Sequence, residues 1–266
     1  MELALIAIAT LWGLAIGSFL NVAILRSPTR ESLRGRSRCN ACLHTLTARE
    51  LIPIISFVVQ KARCRSCGTV LLWQYPIVEF ATASLFGLIT AFYLNAIGHS
   101  LQLFDIIILA TLFTTASAMI VICIADLKFH LIPNGATSAL IVVGLVLSYS
   151  RAIPTYNLVY DITTAIIIAG FLASLWFFSK GKWMGLGDAK LVIGTSLLVG
   201  FPNAIVALLF AFWLGSVVGI FLLLLNRATL KDLIPFGPFI LAGAILSYFF
   251  TDQFLSLMGL YMVFTM

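Results

Sequence analysis

Eight apolar runs dominate the sequence and leave few folds open to it. They lie at about 3–25, 76–98, 105–125, 133–150, 158–179, 183–201, 204–225 and 235–250 of the 266 residues. A membrane-crossing helix needs roughly 20 apolar residues at about 1.5 Å each. The chain is 61% hydrophobic and 10% charged, whereas soluble domains carry about one quarter charged residues. The expected fold class is an all-α polytopic membrane protein with about eight transmembrane helices. The run at 183–201 is short on one side: only 12 residues follow Asp188 before Phe201-Pro202, about 18 Å of helix. That predicts a helix starting earlier, near Trp183, with Asp188 one to two turns inside the membrane boundary. The chain opens Met1-Glu2-Leu3 with no basic stretch, and its first run is too long for a secretory leader. Residues 1–25 therefore read as the first transmembrane helix.

Eight spans place the connections 26–75, 126–132, 180–182 and 226–234 on one side. With Lys190 counted at its helix mouth, that side holds Arg26, Arg30, Arg34, Arg36, Arg38, Arg49, Lys61, Arg63, Arg65, Lys128, Lys180, Lys182, Lys190, Arg227 and Lys231, which is 15 of the 16 basic residues. The other side holds Arg151 alone. The positive-inside bias makes the first side cytoplasmic and puts both termini outside. An odd number of spans would scatter the charge. The net charge of +6 thus reflects orientation and membrane lipids, and no nucleic acid partner is expected. Asp126 and Asp188 both fall at the cytoplasmic face, and Ser148–Asn157, with Pro154, reads as a plain extracellular loop.

The one large polar segment, 26–75, is too short for a big core of its own. It carries Cys39-Asn40-Ala41-Cys42 and Cys64-Arg65-Ser66-Cys67, two Cys-x-x-Cys knuckles 21 residues apart. That spacing predicts a structural Zn²⁺ held by Cys39, Cys42, Cys64 and Cys67. A cytoplasmic loop is reducing, so disulfides are not expected, and four thiolates would supply stability that a small core does not. His44 is a possible substitute ligand but reads more simply as a surface histidine. Cys123, alone in a helix, reads as packing.

Two carboxylates at one membrane face are the candidate chemistry. Ionisable groups at membrane depth are costly, so each needs a reason. Brought within a few ångströms, two carboxylates cannot both ionise easily and titrate as a unit. One then takes a proton from water while the other polarises a peptide carbonyl, which is aspartic proteolysis. Gly185 and Gly187, before Asp188, would admit backbone or an extended substrate. Taken singly, Asp126 reads equally well as a boundary charge near Lys128, and Asp188 as a helix cap.

The ordered motifs resemble the type IV prepilin peptidases. These are Gly17-Ser18-Phe19-Leu20-Asn21-Val22 with Arg26 and Pro28; Cys39-x-x-Cys42-x-His44 through Leu51-Ile52-Pro53 to Cys64-Arg65-x-Cys67-Gly68; and Tyr75-Pro76-x-Val78-Glu79. They continue with Asp126 followed by Leu131-Ile132-Pro133-Asn134, then Met184-Gly185-x-Gly187-Asp188-x-Lys190-Leu191, and Pro235-Phe236-Gly237-Pro238-Phe239. The resemblance implies an aspartic membrane endopeptidase with Asp126 and Asp188 as its catalytic pair. It implies prepilin or pseudopilin substrates of type IV pili and type II secretion, cut after glycine behind a short basic leader. It also implies S-adenosylmethionine-dependent methylation of the new N-terminal residue, and residence in the bacterial inner membrane. Three domains follow: the first helix at 1–25, a zinc-ribbon-like loop with the methyltransferase region at 26–75, and a seven-helix peptidase domain at 76–266. The chain departs from the family pattern at Asn40, Arg49-Glu50 and Ala125. The Arg49-Glu50 departure keeps a peptidase without methyl transfer as the alternative.

Supporting roles are expected at the cytoplasmic mouth. Glu79 reads as a first-turn acid favoured by the helix dipole or as a group near the incoming amine or methyl donor. Asn21 reads as interhelical glue or as part of the methylation site. Lys190 pairs with a carboxylate or snorkels. Asp105, Asp161, Asp232 and Asp252 read as caps. A non-enzymatic reading is a proton-coupled transporter with a zinc docking loop. It is disfavoured because transporter carboxylates usually sit near the midplane.

Overall fold

The computed structural model describes residues 2–29, 32–33, 35–97, 101–151, 157–227, 229 and 232–259. Arg30, Arg34, Pro154 and Lys231 lie outside the described residues. Each of the eight apolar runs forms a helix. In chain order these are α1 (Glu2–Arg26), α3 (Gln74–Ile97), α4 (Leu103–Phe129), α5 (Asn134–Arg151), α6 (Asn157–Ser179), α7 (Leu186–Val199), α8 (Asn203–Leu224) and α9 (Gly237–Leu257). The loop after α1 adds a 3₁₀ turn (Ala48–Leu51) and the short α2 (Ile55–Val59). Among the described residues the only β pairing is two isolated bridges, Arg38 with Thr45 and Arg63 with Val70. Six helices (α1, α3, α4, α6, α8 and α9) are each long and apolar enough to cross a membrane. The protein is an all-α, multi-pass membrane protein, with α5 and α7 as its shorter apolar helices.

Two compact units divide inside α4, between Ile124 and Ala125. In the first unit, α1 lies flat against α3. A Cβ added to Gly13 would fall 2.7 Å from the Ala83 Cα, and one added to Gly17 would fall 2.7 Å from the Glu79 Cα. Small residues four apart let two backbones touch, and lipid-embedded helices associate mainly through such packing. Asn21 is 1% exposed and completes the seam. Its Nδ2 donates to the Gly17 carbonyl at 3.3 Å and to the Tyr75 carbonyl at 3.1 Å. Phe86 stacks on Phe113 of α4, with centroids 4.1 Å apart.

In the second unit α7 is the central helix and packs on α5, α6, α8 and α9. Nine of its 14 residues are buried. Gly194 and Gly144 permit the α5–α7 crossing, since a Cβ on Gly194 would fall 2.9 Å from the Leu140 Cβ. Gly243 of α9 presses against the Ala207 carbonyl of α8 in the same way.

Three boundaries differ from the sequence expectation. Helix α7 starts at Leu186 rather than near Trp183. Lys180 and Gly181 are left-handed, at φ 54° and 77°, and the Gly181 amide donates back to the Trp176 carbonyl at 2.9 Å, closing α6. The chain is then extended at Gly185, the N-cap of α7. Asp188 is accordingly in the first turn, not one to two turns along. At the other two sites, α5 continues through Arg151 into the expected loop, and α4 continues past Asp126 to Phe129, ending with basic Lys128 in its last turn. A cation there complements the helix dipole.

Candidate active site

Both aspartates belong to the second unit, and helix starts hold both. Asp188 is the third residue of α7. Its amide donates to the Gly185 carbonyl at 3.2 Å, and the Gly185 amide donates back to Asp188 Oδ2 at 3.0 Å. This reciprocal pair is a capping arrangement. Gly185 has no side chain to complete the other half, so the carboxylate alone caps the helix. Asp126 is in the last turn of α4, and its Oδ2 accepts the amide of Gly237, the first residue of α9, at 2.8 Å. Each carboxylate thus sits at a helix N-terminus, where unpaired amides favour negative charge.

The two side chains are buried, at 5% exposure for Asp126 and 7% for Asp188, and they lie within electrostatic range of each other. Among the described residues no hydrogen bond engages Oδ1 of either one. Glycines frame the pair. A Cβ on Gly237 would fall 2.6 Å from Asp126 Oδ2, and a Cβ on Gly187 would fall 3.2 Å from the Ile132 Cβ. The glycines therefore allow close approach between the two helix starts and the end of α4. Two buried carboxylates, each fixed through Oδ2 by a backbone amide, are suited to sharing a proton across a water molecule.

The cysteine cluster belongs to the first unit. All four sulfurs lie within 4.8 Å of one another, with Cys39 Sγ 3.9 Å from Cys67 Sγ. Four thiolates at about 2.3 Å from one ion would be about 3.8 Å apart, so the donor set fits a tetrahedral metal site. The knuckles are built alike. The Cys39 amide donates to His44 and the Leu43 amide to Cys39; the Cys64 amide donates to Thr69 and the Gly68 amide to Cys64. The fourth residue after each first cysteine is left-handed, Leu43 at φ 59° and Gly68 at φ 72°. The Thr69 hydroxyl and amide hold the Cys67 thiol below its ordinary value, whereas burial and the neighbouring sulfurs push the Cys42 thiol up to about 11, so the four thiols share their protons unevenly. Neither His44 nor Cys123 is among the clustered donors.

Comparison with known proteins bears on what these arrangements serve. The Bacterial Peptidase A24 N-terminal domain matches residues 11–93, and the Type IV leader peptidase family matches residues 113–220. A prepilin leader peptidase/N-methyltransferase of Bacillus subtilis (strain 168) is 33% identical over 254 residues, covering 95% of this chain and 97% of that protein. The chain belongs to the type IV leader peptidase family. A protein of the same name from Burkholderia pseudomallei (strain 1026b) is 27% identical over 96% of this chain and 88% of its own length. One from Myxococcus xanthus (strain DK1622) is 32% identical over 80% of this chain and 61% of its own length. No solved structure matches the chain.

In this member of the leader peptidase family the remaining expected residues take quieter places. Glu79, 6% exposed, accepts the Ile54 amide at 2.7 Å, and Ile54 itself is held at φ 59°. Glu79 therefore anchors the loop to α3. Asn21 is the α1–α3 glue described above. Lys190 is exposed, and no ion pair joins it to either carboxylate among the described residues. Asp105, Asp232 and Glu50 each cap a turn: the amides of Gln102, Thr229 and Thr47 donate to them at 2.8, 2.6 and 2.8 Å. Asp161 also makes bonds across the unit. It accepts the Phe201 amide at 2.7 Å and the Ser148 hydroxyl, tying α6 to α5 and to the α7–α8 turn. Sequence reasoning gave no role to Gly237 or His130. A glycine next to a proline at a helix start was the available signal for the first.

Proposed function

We propose that this protein removes the short basic leader from type IV prepilins or pseudopilins and N-methylates the residue it exposes. In this reading Asp126 and Asp188 are the catalytic pair. The observation that carries it is their arrangement: each is buried, each takes one backbone amide on Oδ2, and each is within electrostatic range of the other. With one proton on the pair, the ionised member removes a proton from water while the protonated member donates to the scissile carbonyl oxygen. The tetrahedral intermediate then collapses, the C–N bond breaks, and a proton passes to the leaving amine. The backbone amides hold both carboxylates without consuming a proton. The basic loops make the site's side cytoplasmic, which suits a substrate with an apolar helix in lipid and a basic leader in the cytosol of a bacterial inner membrane.

Cys39, Cys42, Cys64 and Cys67 hold a structural Zn²⁺ in this reading. When bound, the ion cross-links the two knuckles and closes its own coordination shell. Methyl transfer from S-adenosylmethionine rests on the similarity to the named N-methyltransferases. Glu79 and Asn21 are engaged by backbone groups, and no donor site is assigned to them.

The test is leader removal from a prepilin by the full-length protein in membranes. Asp126→Asn and Asp188→Asn abolish cleavage while both variants still insert, and retained cleavage in both refutes the pair. Mass spectrometry of the mature N-terminus decides the second activity. A methylated residue that depends on this protein supports transfer, and an unmodified one leaves the peptidase alone. Cys39→Ser or Cys64→Ser lowers bound zinc and loosens the loop, read by metal content and limited proteolysis.

A further inference from the structure

His130 is four residues past Asp126 and has no place in the catalytic reading so far. Its amide donates to the Asp126 carbonyl at 2.9 Å, ending α4. Its own backbone is left-handed at φ 50°, a region that histidine enters more readily than most residues. The ring then turns toward a segment distant in sequence, and Nε2 lies 3.3 Å from the Leu233 carbonyl. A carbonyl only accepts, so Nε2 carries the proton and donates.

Leu233 is the first of the four non-helical residues that immediately precede Gly237, late in the α8–α9 connection. The far end of that stretch is tied to α8 and α9. The Phe236 ring packs on Phe212 at 5.1 Å and on Phe239 at 6.4 Å. The near end is tied to α4 by His130. The Gly237 amide, 2.8 Å from Asp126 Oδ2, is therefore held from both ends. The ring is also within electrostatic range of the Asp126 carboxylate.

We propose that His130 is a positioning residue for Asp126: by holding the Leu233 carbonyl, it fixes the segment that brings the Gly237 amide to the carboxylate. A histidine at a helix C-terminus serves the dipole anywhere. This one also bonds 103 residues away, to the segment that supports the proposed catalytic group. The inference rests on Asp126 being catalytic.

The experiment uses the purified full-length protein in detergent with a prepilin peptide spanning the cleavage site. His130→Gly keeps the left-handed backbone and removes the ring. His130→Asn tolerates the same backbone, but its amide is too short to reach Leu233. His130→Gln restores a donor of similar reach. The expected result is a fall in kcat of about tenfold for Gly and Asn, since small misplacements of a reacting group cost large factors. KM stays within about twofold, and Gln recovers most of the rate. Unchanged kcat in both Gly and Asn, a change confined to KM, or a Gln variant as slow as Gly each overturns the proposal. If one removal variant does not insert, the other decides. Asp126→Asn is run alongside: activity in that variant refutes the catalytic reading itself, whatever His130 does.

Discussion

Asp105 and Asp188 make the same local bond in different surroundings. Each is the third residue of an apolar helix, is almost fully buried at 5% and 7% exposure, and accepts the amide of its N-cap residue, at 2.8 and 3.0 Å. They part at the second oxygen. Asp105 Oδ1 accepts the Tyr93 hydroxyl at 2.8 Å, which finishes the group as structure. Asp188 lies within electrostatic range of a second carboxylate, and no hydrogen bond to its Oδ1 is found among the described residues. Burial and capping do not separate the proposed catalytic carboxylate from a structural one here. Their surroundings differ: a tyrosine hydroxyl bonds Asp105, and Asp188 is within electrostatic range of Asp126.

The sharpest way to break this comparison is to neutralise both residues. Asparagine keeps an oxygen for the cap, so neither helix start is lost. Asp188→Asn lowers leader cleavage by about 10³-fold or more, the scale of a removed acid–base group, with little change in thermal stability. Asp105→Asn leaves cleavage intact and costs about 1 kcal/mol of stability through its weakened tyrosine bond. Equal loss of cleavage in both would erase the distinction. Gly237→Ala tests whether Asp126 depends on its borrowed amide. The new Cβ would fall 2.6 Å from Oδ2, so the carboxylate is displaced, and kcat drops about 100-fold while insertion is unaffected.

Glu50 gives the smallest effect and the cleanest sign. It makes the same reciprocal cap on the 3₁₀ turn, and the Thr47 amide and hydroxyl hold its carboxyl below the usual carboxylate range. A lowered folded pKa means the contribution is present above the unfolded value of about 4.3 and is lost as pH falls through the folded one. Glu50→Gln therefore loosens residues 47–51 slightly near pH 7, read by amide exchange. The difference from the parent narrows as the medium is acidified. A difference that grows in acid contradicts the assignment.

Much of this was legible in the chain itself. The eight runs gave eight helices, because long apolar stretches in a lipid setting have few alternatives. The knuckle spacing gave the cysteine cluster, because ligand pairs on tight turns are local. The start of α7 was misjudged. A length argument favoured Trp183, yet Gly185 and the left-handed Lys180-Gly181 pair decide the boundary through backbone geometry. The Gly13-x-x-x-Gly17 pattern stood in plain sight and passed unused. The Gly237 amide and the Leu233 carbonyl were not legible. Each is a backbone group more than 100 residues from the side chain it serves, and backbone groups carry no letter in a sequence.

The α1–α3 seam has a consequence for the cysteine loop. Residues 27–73 leave one of these helices and return to the other, at the end where Asn21 meets Tyr75 and Gly17 meets Glu79. Closing a free loop of that length costs entropy that grows as (3/2)RT ln n. Here the helices have already closed it, whether or not a metal is bound. The loop behaves as a purse whose clasp lies in the membrane. A metal held by the four cysteines would need only to shape the contents, so a chelator is expected to empty the fold of the loop and leave the helices fastened beneath it.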